Sequence, residues 1–237
     1  MPRERMETTG TLRDRLKKKL QQTAKQWLPE GFVKEVQQYR AYKRVERPLY
    51  VKTRILSGVG LLASRSFRVP ATARSFVFVC FGNIIRSPMC EALMNQAIAG
   101  IPGAPLKVTS AGLNAVAGRA AHPWAIAAAA DFGVSLADHR ARLLTSEMVD
   151  QADVIFAMDY QNRVQLLSLY PQARTRVFML SAYRDEKHHS DEIPDPYHMG
   201  QEETRRCYRV LQTCVHNLVS SFPKERGWNH ETRLDHS

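Results

Sequence analysis

The chain has 237 residues, 44% hydrophobic and 24% charged, with 34 Lys and Arg against 23 Asp and Glu and a formal net charge of +11. That length suits one ordinary domain plus an appendage, and no run reaches the roughly 18 apolar residues of a membrane span. The first residues carry charge where a secretory signal would carry an apolar core. Four cysteines, at 80, 90, 207 and 214, fit neither a disulfide framework nor a zinc pattern, so a reducing, cytoplasmic compartment is expected.

The charge is uneven. Residues 1–75 hold 18 Lys and Arg against 6 Asp and Glu, whereas 76–237 hold 16 against 17. The basic character belongs to the first segment alone, so a high pI does not make the whole protein a nucleic-acid binder.

In chain order, residues 1–10 read as disordered. Over 11–28, Leu12, Leu16, Leu20 and Trp27 recur at helical spacing among Arg13, Arg15, Lys17, Lys18, Lys19 and Lys25, up to Pro29. A second amphipathic segment (Phe32, Val33, Val36, Tyr39, Tyr42) is expected to end before Pro48, a third covers 51–63, and 65–74 reads as a linker. Residues 1–74 are thus expected to be a basic, partly helical extension. Its bland reading is a solvated face. The other readings are peripheral membrane or kinase docking through 11–63, packing of its leucine–tryptophan stripe on the rest of the chain or on a partner, and nucleic-acid binding, which lacks any accompanying signature.

From Ser75 the pattern alternates. Strands are expected at 75–80, 106–110, 152–158 and 176–180, and helices at 89–97, 123–132, 160–169 and 201–222. This predicts an α/β domain over 75–223, a four-stranded parallel sheet with helices on both faces, followed by a disordered tail at 224–237. Ligands of such sheets bind beyond the carboxyl ends of the strands.

The first strand runs into Cys80-Phe81-Gly82-Asn83-Ile84-Ile85-Arg86-Ser87-Pro88. Pro88 fits a helix's first turn, so the stretch is strand, tight loop and helix start, an arrangement that aims backbone N–H groups and a positive helix end at one point. Cys80 stands at the mouth of this anion cradle, where the field favours a thiolate. Arg86 offers a two-pronged fork to phosphoryl oxygens, and Ser87 is placed to donate to the sulfur. A cysteine at a strand end is also commonly just a small buried hydrophobe. With the flanking residues, the pattern describes a cysteine that attacks a phosphate and is later released.

The stretch resembles the signature of the low-molecular-weight protein tyrosine phosphatases, Cys-x-Gly-Asn-x-Cys-Arg-Ser-Pro, with Ile85 where the family commonly has a second cysteine. Further matches are Asp195-Pro196-Tyr197, Ser110-Ala111-Gly112, His139-Arg140-Ala141-Arg142 and Met158-Asp159 with Asn162. The resemblance covers about 75–222 and implies a doubly wound, phosphotyrosine phosphatase I-like fold and a metal-independent, cofactor-free hydrolysis of phosphotyrosine proteins. It makes Cys80 the nucleophile, Arg86 the phosphate clamp, and Asp195 the general acid and then base, with Asp191 as a nearby competitor. Phe81, Gly82, Asn83, Ile84, Ile85 and Ser87 form the phosphate loop, and Tyr197 walls the pocket. Asn83, Ser110 and His139 brace the loop; Asp159 either supports the site or simply caps a helix.

Ile84 resembles the phosphotyrosine enzymes, since relatives acting on phosphoarginine tend to carry threonine there. The segment 113–118 looks bacterial in lacking an aromatic wall, and His198 replaces a second tyrosine. Bacterial relatives often act on tyrosine kinases of exopolysaccharide synthesis, which implies that substrate class. The alternatives are an arsenate reductase on the same scaffold, which needs a resolving cysteine, and a non-catalytic phosphoprotein-binding protein. Cys207 and Cys214, two helical turns apart, read as core packing.

Overall fold

The structure, a computed structural model, describes residues 30–59, 69–99, 106–184 and 192–222. The helix expected over 11–28, the tail 224–237 and Asp191 lie outside them. The chain divides into two units, 1–47 and 48–237. In the first, helix α1 (Glu30–Ala41) takes up the second amphipathic segment, and the Arg47 guanidinium lies 5.2 Å from the centroid of the Tyr39 ring.

Helix α2 (Arg47–Gly58) replaces the third expected segment and begins earlier. Pro48, read from sequence as the limit of the segment before it, which ends at Ala41, also sits in the first turn of α2, where no N–H is needed. From Pro48 onward this helix belongs to the second unit, with Tyr50 and Thr53 buried. Part of the stretch read as an extension is therefore built into the domain that holds the sheet.

That sheet consists of β1 (Ser75–Cys80), β2 (Lys107–Gly112), β3 (Val154–Ala157) and β4 (Val177–Met179), all parallel, in the order β2-β1-β3-β4. The remaining helices are α3 (Arg86–Ile98), α4 (Pro123–Ala130), α5 (Ser146–Gln151), α6 (Tyr160–Leu169) and α7 (Gln201–Ser220). Successive strand residues point to opposite faces, and the two cores follow that rule. Phe76, Phe78 and Cys80 of β1 lie in one cluster with Met89 and Leu93 of α3, Ala125 of α4 and Tyr208 and Leu211 of α7. Val77 and Val79 lie in the other, with Val149 of α5 and Leu166 and Leu167 of α6. A β1 run buried almost throughout is what a sheet covered on both faces requires. Each such large apolar side chain contributes about 1.5–3 kcal/mol by leaving water.

The helix ends explain the boundaries. Pro123 opens α4, and His122 Nδ1 accepts the Trp124 N–H at 3.2 Å. Thr145 Oγ1 accepts the Met148 N–H at 3.2 Å and so caps α5. That helix, only six residues long, went unread in the sequence because it is too short to show a period. In α7 the buried positions Thr204, Cys207, Tyr208, Leu211, Cys214, Val215 and Leu218 form one apolar stripe. From β1 the chain passes to β2 on one side, while β3 lies on the other. The crevice at that switch point opens beyond the carboxyl end of β1, at Cys80.

Candidate active site

The loop after Cys80 is shaped by what its carbonyls do. The Cys80 oxygen accepts from Leu113 N (3.0 Å), Phe81 from Asn114 N (2.8 Å), Asn83 from His139 Nε2 (2.8 Å), Ile84 from His122 N (2.9 Å) and Ile85 from Tyr208 Oη (3.1 Å). In a planar trans peptide the next N–H points the opposite way. With the carbonyls tied outward, the amides turn toward the mouth of the loop. The Ile85 N-cap of α3 supplies no side-chain hydrogen bond, so the helix start also keeps donors for a ligand. The donors meet Cys80 Sγ, which accepts from Asn83 N at 3.2 Å and lies 3.0 Å from Ser87 Oγ.

Asn83 is the hub of this loop. It is fully buried and adopts a φ of +53°, a left-handed conformation that asparagine tolerates better than most residues. Its Nδ2 donates to Ser87 Oγ (2.9 Å) and Ser110 Oγ (2.8 Å), and its Oδ1 accepts from Arg142 N (2.8 Å). Ser110 in turn donates to Glu91, which is held by Arg142 Nη2 at 2.7 and 2.8 Å. Glu91 escaped the sequence reading, although it lies four residues after Ser87 on the same helical face, and Arg142 entered it only as part of the match over 139–142, with no role. Burial lowers the pKa of His139 below the usual imidazole value, against the opposing pull of the Asn83 carbonyl. A neutral ring donating from Nε2 fits that carbonyl.

Gly112, at the end of β2, is the glycine the loop needs. A Cβ there would stand 2.8 Å from both Asn83 N and Phe81 O. Gly82, the glycine of the motif, has room: its nearest neighbour would be Ile84 Cγ1 at 3.5 Å.

The Arg86 guanidinium is 1% exposed and bound on both prongs. Nη1 donates to Asp159 Oδ2 (2.6 Å) and to the Ile193 carbonyl (2.9 Å), and Nη2 donates to Asp195 Oδ2 (2.5 Å). Burial opposes its charge, yet Asp159, Cys80 and Asp195 raise its pKa above the ordinary arginine value. The two roles considered for Asp159 coexist, one per oxygen: Oδ1 caps α6 by accepting from Asn162 N at 2.7 Å while Oδ2 holds Arg86.

Asp195 and Tyr197 enter from the loop before α7. Asp195 Oδ1 accepts the Tyr197 N–H at 3.2 Å, and the Tyr197 ring stands edge-on to His122, centroids 5.5 Å apart. A cavity of about 330 Å³ is lined by Cys80, Phe81, Gly82, Ile84, Ile85, Arg86, Asp195 and Tyr197, with Asn114, Val116, Arg119 and His198 at its wall. Phe81 is exposed, whereas Ile84 and Ile85 are buried. Asn114 and Val116 belong to the segment 113–118 that the sequence reading singled out, as it did His198; Arg119 was missed, carries no motif and is found only by folding the chain. Among the described residues no three His, Cys, Asp or Glu side chains gather as a metal ion would require.

The other cysteines are buried thiols outside any disulfide. Burial raises the Cys90 thiol pKa well above its usual value and pushes Cys207 up to about 12. Cys207 and Cys214 lie in the core beneath α7.

The profile of the family described as low molecular weight phosphotyrosine protein phosphatase matches residues 75–227. The low molecular weight protein-tyrosine-phosphatase Etp of Escherichia coli K12 is 35% identical over 138 residues, 58% of this chain and 87% of that protein. The crystal structure of the Erwinia amylovora tyrosine phosphatase AmsI superposes with a TM-score of 0.58 at 30% identity, covering 64% of this chain and 94% of that one. The YwlE arginine phosphatase of Geobacillus stearothermophilus superposes with a TM-score of 0.54 at 30% identity, covering 61% and 90%.

Proposed function

The chain belongs to the low molecular weight phosphotyrosine protein phosphatase family, and from that premise we propose that it hydrolyses protein phosphotyrosine through a phosphocysteine at Cys80. The observation that carries this is the environment of Cys80 Sγ, which meets the Asn83 N–H and the Ser87 hydroxyl where the loop amides converge.

In the first step the Cys80 thiolate attacks phosphorus in line with the tyrosyl oxygen. The S–P bond forms, the P–O bond breaks, and Asp195 passes its proton to the departing phenolate. The loop N–H groups and Arg86 hold the equatorial oxygens, so that positioning and electrostatics carry most of the barrier lowering. Arg86 can serve only if Nη2 is released from Asp195. The incoming phosphoryl group takes that place, and Asp195 moves over the leaving oxygen while Asp159 and the Ile193 carbonyl still orient Nη1. In the second step water attacks phosphorus and Asp195 accepts its proton. The S–P bond breaks, and the returning thiolate is stabilised by Ser87 and the Asn83 N–H.

Tyrosine rather than arginine as the phosphorylated residue is supported by Ile84 and Tyr197, which both line the cavity. Within that class we propose a tyrosine kinase of exopolysaccharide synthesis as substrate, reached through the basic segment 11–63; the charge of that segment supports the docking. No described helix is long and apolar enough to cross a membrane.

The test is turnover of an aryl phosphate and of phosphotyrosine and phosphoarginine peptides. Cys80→Ser should be inactive and Asp195→Ala strongly slowed, with phosphotyrosine preferred; an active Cys80→Ser, or a preference for phosphoarginine, would overturn the reading. Removing residues 1–47 should leave aryl-phosphate turnover intact while abolishing co-sedimentation with anionic vesicles or the kinase, and unchanged sedimentation would count against docking.

A further inference from the structure

A second cavity, of about 370 Å³, lies in the same unit between α2 and the β4 side of the sheet. It is in the range of small-molecule sites and slightly larger than the cavity at Cys80. Its walls are largely apolar, including Leu49 and Leu56 of α2, Leu167 of α6 and Phe178 of β4. Its charged lining is cationic, Lys52, Arg163 and Arg174, beside the hydroxyl residues Thr53, Thr175 and Tyr183 and with no carboxylate among the described lining residues.

Arg163 is the telling group. It is 8% exposed, its Nη1 makes one long hydrogen bond to Thr53 Oγ1 at 3.3 Å, and its buried Nε has no partner. Burial and the nearby Arg174 both lower its pKa, which records a charge without compensation. Buried guanidinium donors are ordinarily satisfied by acceptors, most strongly by carboxylates and phosphates. At Arg86 four acceptor atoms or charges do this; at Arg163 a single hydroxyl does. An apolar hollow lined by an under-partnered buried guanidinium and two further cations complements a molecule with an apolar body and an anionic head.

We propose that this cavity binds a small anionic amphiphile, its carboxylate or phosphate head on Arg163, Lys52 and Arg174 and its apolar body against Leu49, Leu56 and Phe178. Lys52 and Arg174 are exposed and stand at the rim, whereas Arg163 lies within. The site is distinct from the Cys80 cavity, although both draw on α6: Asp159 caps that helix and Arg163 lies one turn on.

Isothermal titration of the full-length protein with decanoate and, separately, decyl phosphate tests this, with uncharged decanol as control. One molecule of probe should bind at this cavity, beside any decyl phosphate taken up at Cys80, and the tighter anionic probe should bind there at least about tenfold more tightly than decanol, the loss of one charge-assisted hydrogen bond. Arg163→Met should weaken binding by a similar factor, Lys52→Glu severalfold, and Leu56→Trp, which fills the hollow, should abolish it. Tighter binding of decanoate or of decyl phosphate assigns the head as a monoanion or a phosphate. The proposal is overturned if neither anionic probe occupies a site that Leu56→Trp removes, since all binding then lies elsewhere, the Cys80 cavity included. It is equally overturned if decanol binds that site as well as both anionic probes. Lys52 is at the rim, so Lys52→Glu keeps the charge contribution measurable even if a buried substitution impairs folding.

Discussion

Replacing Asp159 separates two functions that share one side chain. Asp159→Asn keeps an oxygen to cap α6 but removes the charge facing Arg86 Nη1; Asp159→Ala removes both. Opposite charges about 4 Å apart interact by about 4 kcal/mol at an effective dielectric of about 20. Asp159 is 16% exposed, and Asp195 and the Ile193 carbonyl remain on Arg86, so part of that orientation survives. We expect about 1.5–3 kcal/mol of transition-state stabilisation to be lost, a fall of about 10- to 150-fold in kcat on an aryl phosphate for Asp159→Asn. The two variants should differ from each other mainly in stability, Asp159→Ala being less stable by about 1 kcal/mol for the lost cap. Steady-state kinetics and urea denaturation on the same preparations give both quantities. An Asp159→Asn enzyme with wild-type kcat would refute the idea that this carboxylate orients the clamp.

Gly112→Ala should cost about 1–3 kcal/mol and most of the activity, because its Cβ would press on the backbone of the phosphate loop, whereas Gly82→Ala should fold and melt like the wild type. Asn83→Ala leaves Ser87, Ser110 and the Arg142 N–H without their shared partner and places alanine at positive φ. It should destabilise the protein by about 3 kcal/mol and lower kcat, read from urea denaturation and aryl-phosphate turnover. His139 is a base whose folded pKa lies below its unfolded one, so the unfolded chain binds more protons between the two. Its contribution is fully present above about pH 6.5, the unfolded value, and is lost as pH falls below that toward the folded pKa. Thermal melts from pH 7.5 down to 5 should show a shallower acid-side decline in His139→Gln than in the wild type, with a residual slope from His122, whose pKa is also lowered by burial.

The fold was legible where a local pattern had a single solution. The run from Ser75 to Cys80 is too apolar and β-branched to be anything but a strand covered on both faces, and Asp159, ahead of a helical period, reads as a cap on inspection. The segment expected to end before Pro48 does end before it, at Ala41, but the next helix starts at Arg47 and not at 51, because proline stops one helix and starts another with equal ease and only the packing of Tyr50 and Thr53 shows the second role. The same holds at the loop. Its motif glycine, Gly82, has space around it, while Gly112, thirty residues later, has none.

By itself, the sequence determined the order of strands and helices except for the short α5, the loop that carries Cys80, Arg86 and Ser87, and the asymmetry of charge, since periodicity, turn chemistry and composition are properties of neighbours along the chain. Only the tertiary structure decided that Asp159, the Ile193 carbonyl and Asp195 converge on one guanidinium, that five carbonyls between Cys80 and Ile85 find donors on four separate segments, and that Glu91 and Arg142 stand behind Ser110. It likewise decided that Arg163 is buried beneath α2 with a single acceptor. Those contacts span up to more than a hundred residues, and which groups meet across such a distance is set by how the two faces of the sheet are covered.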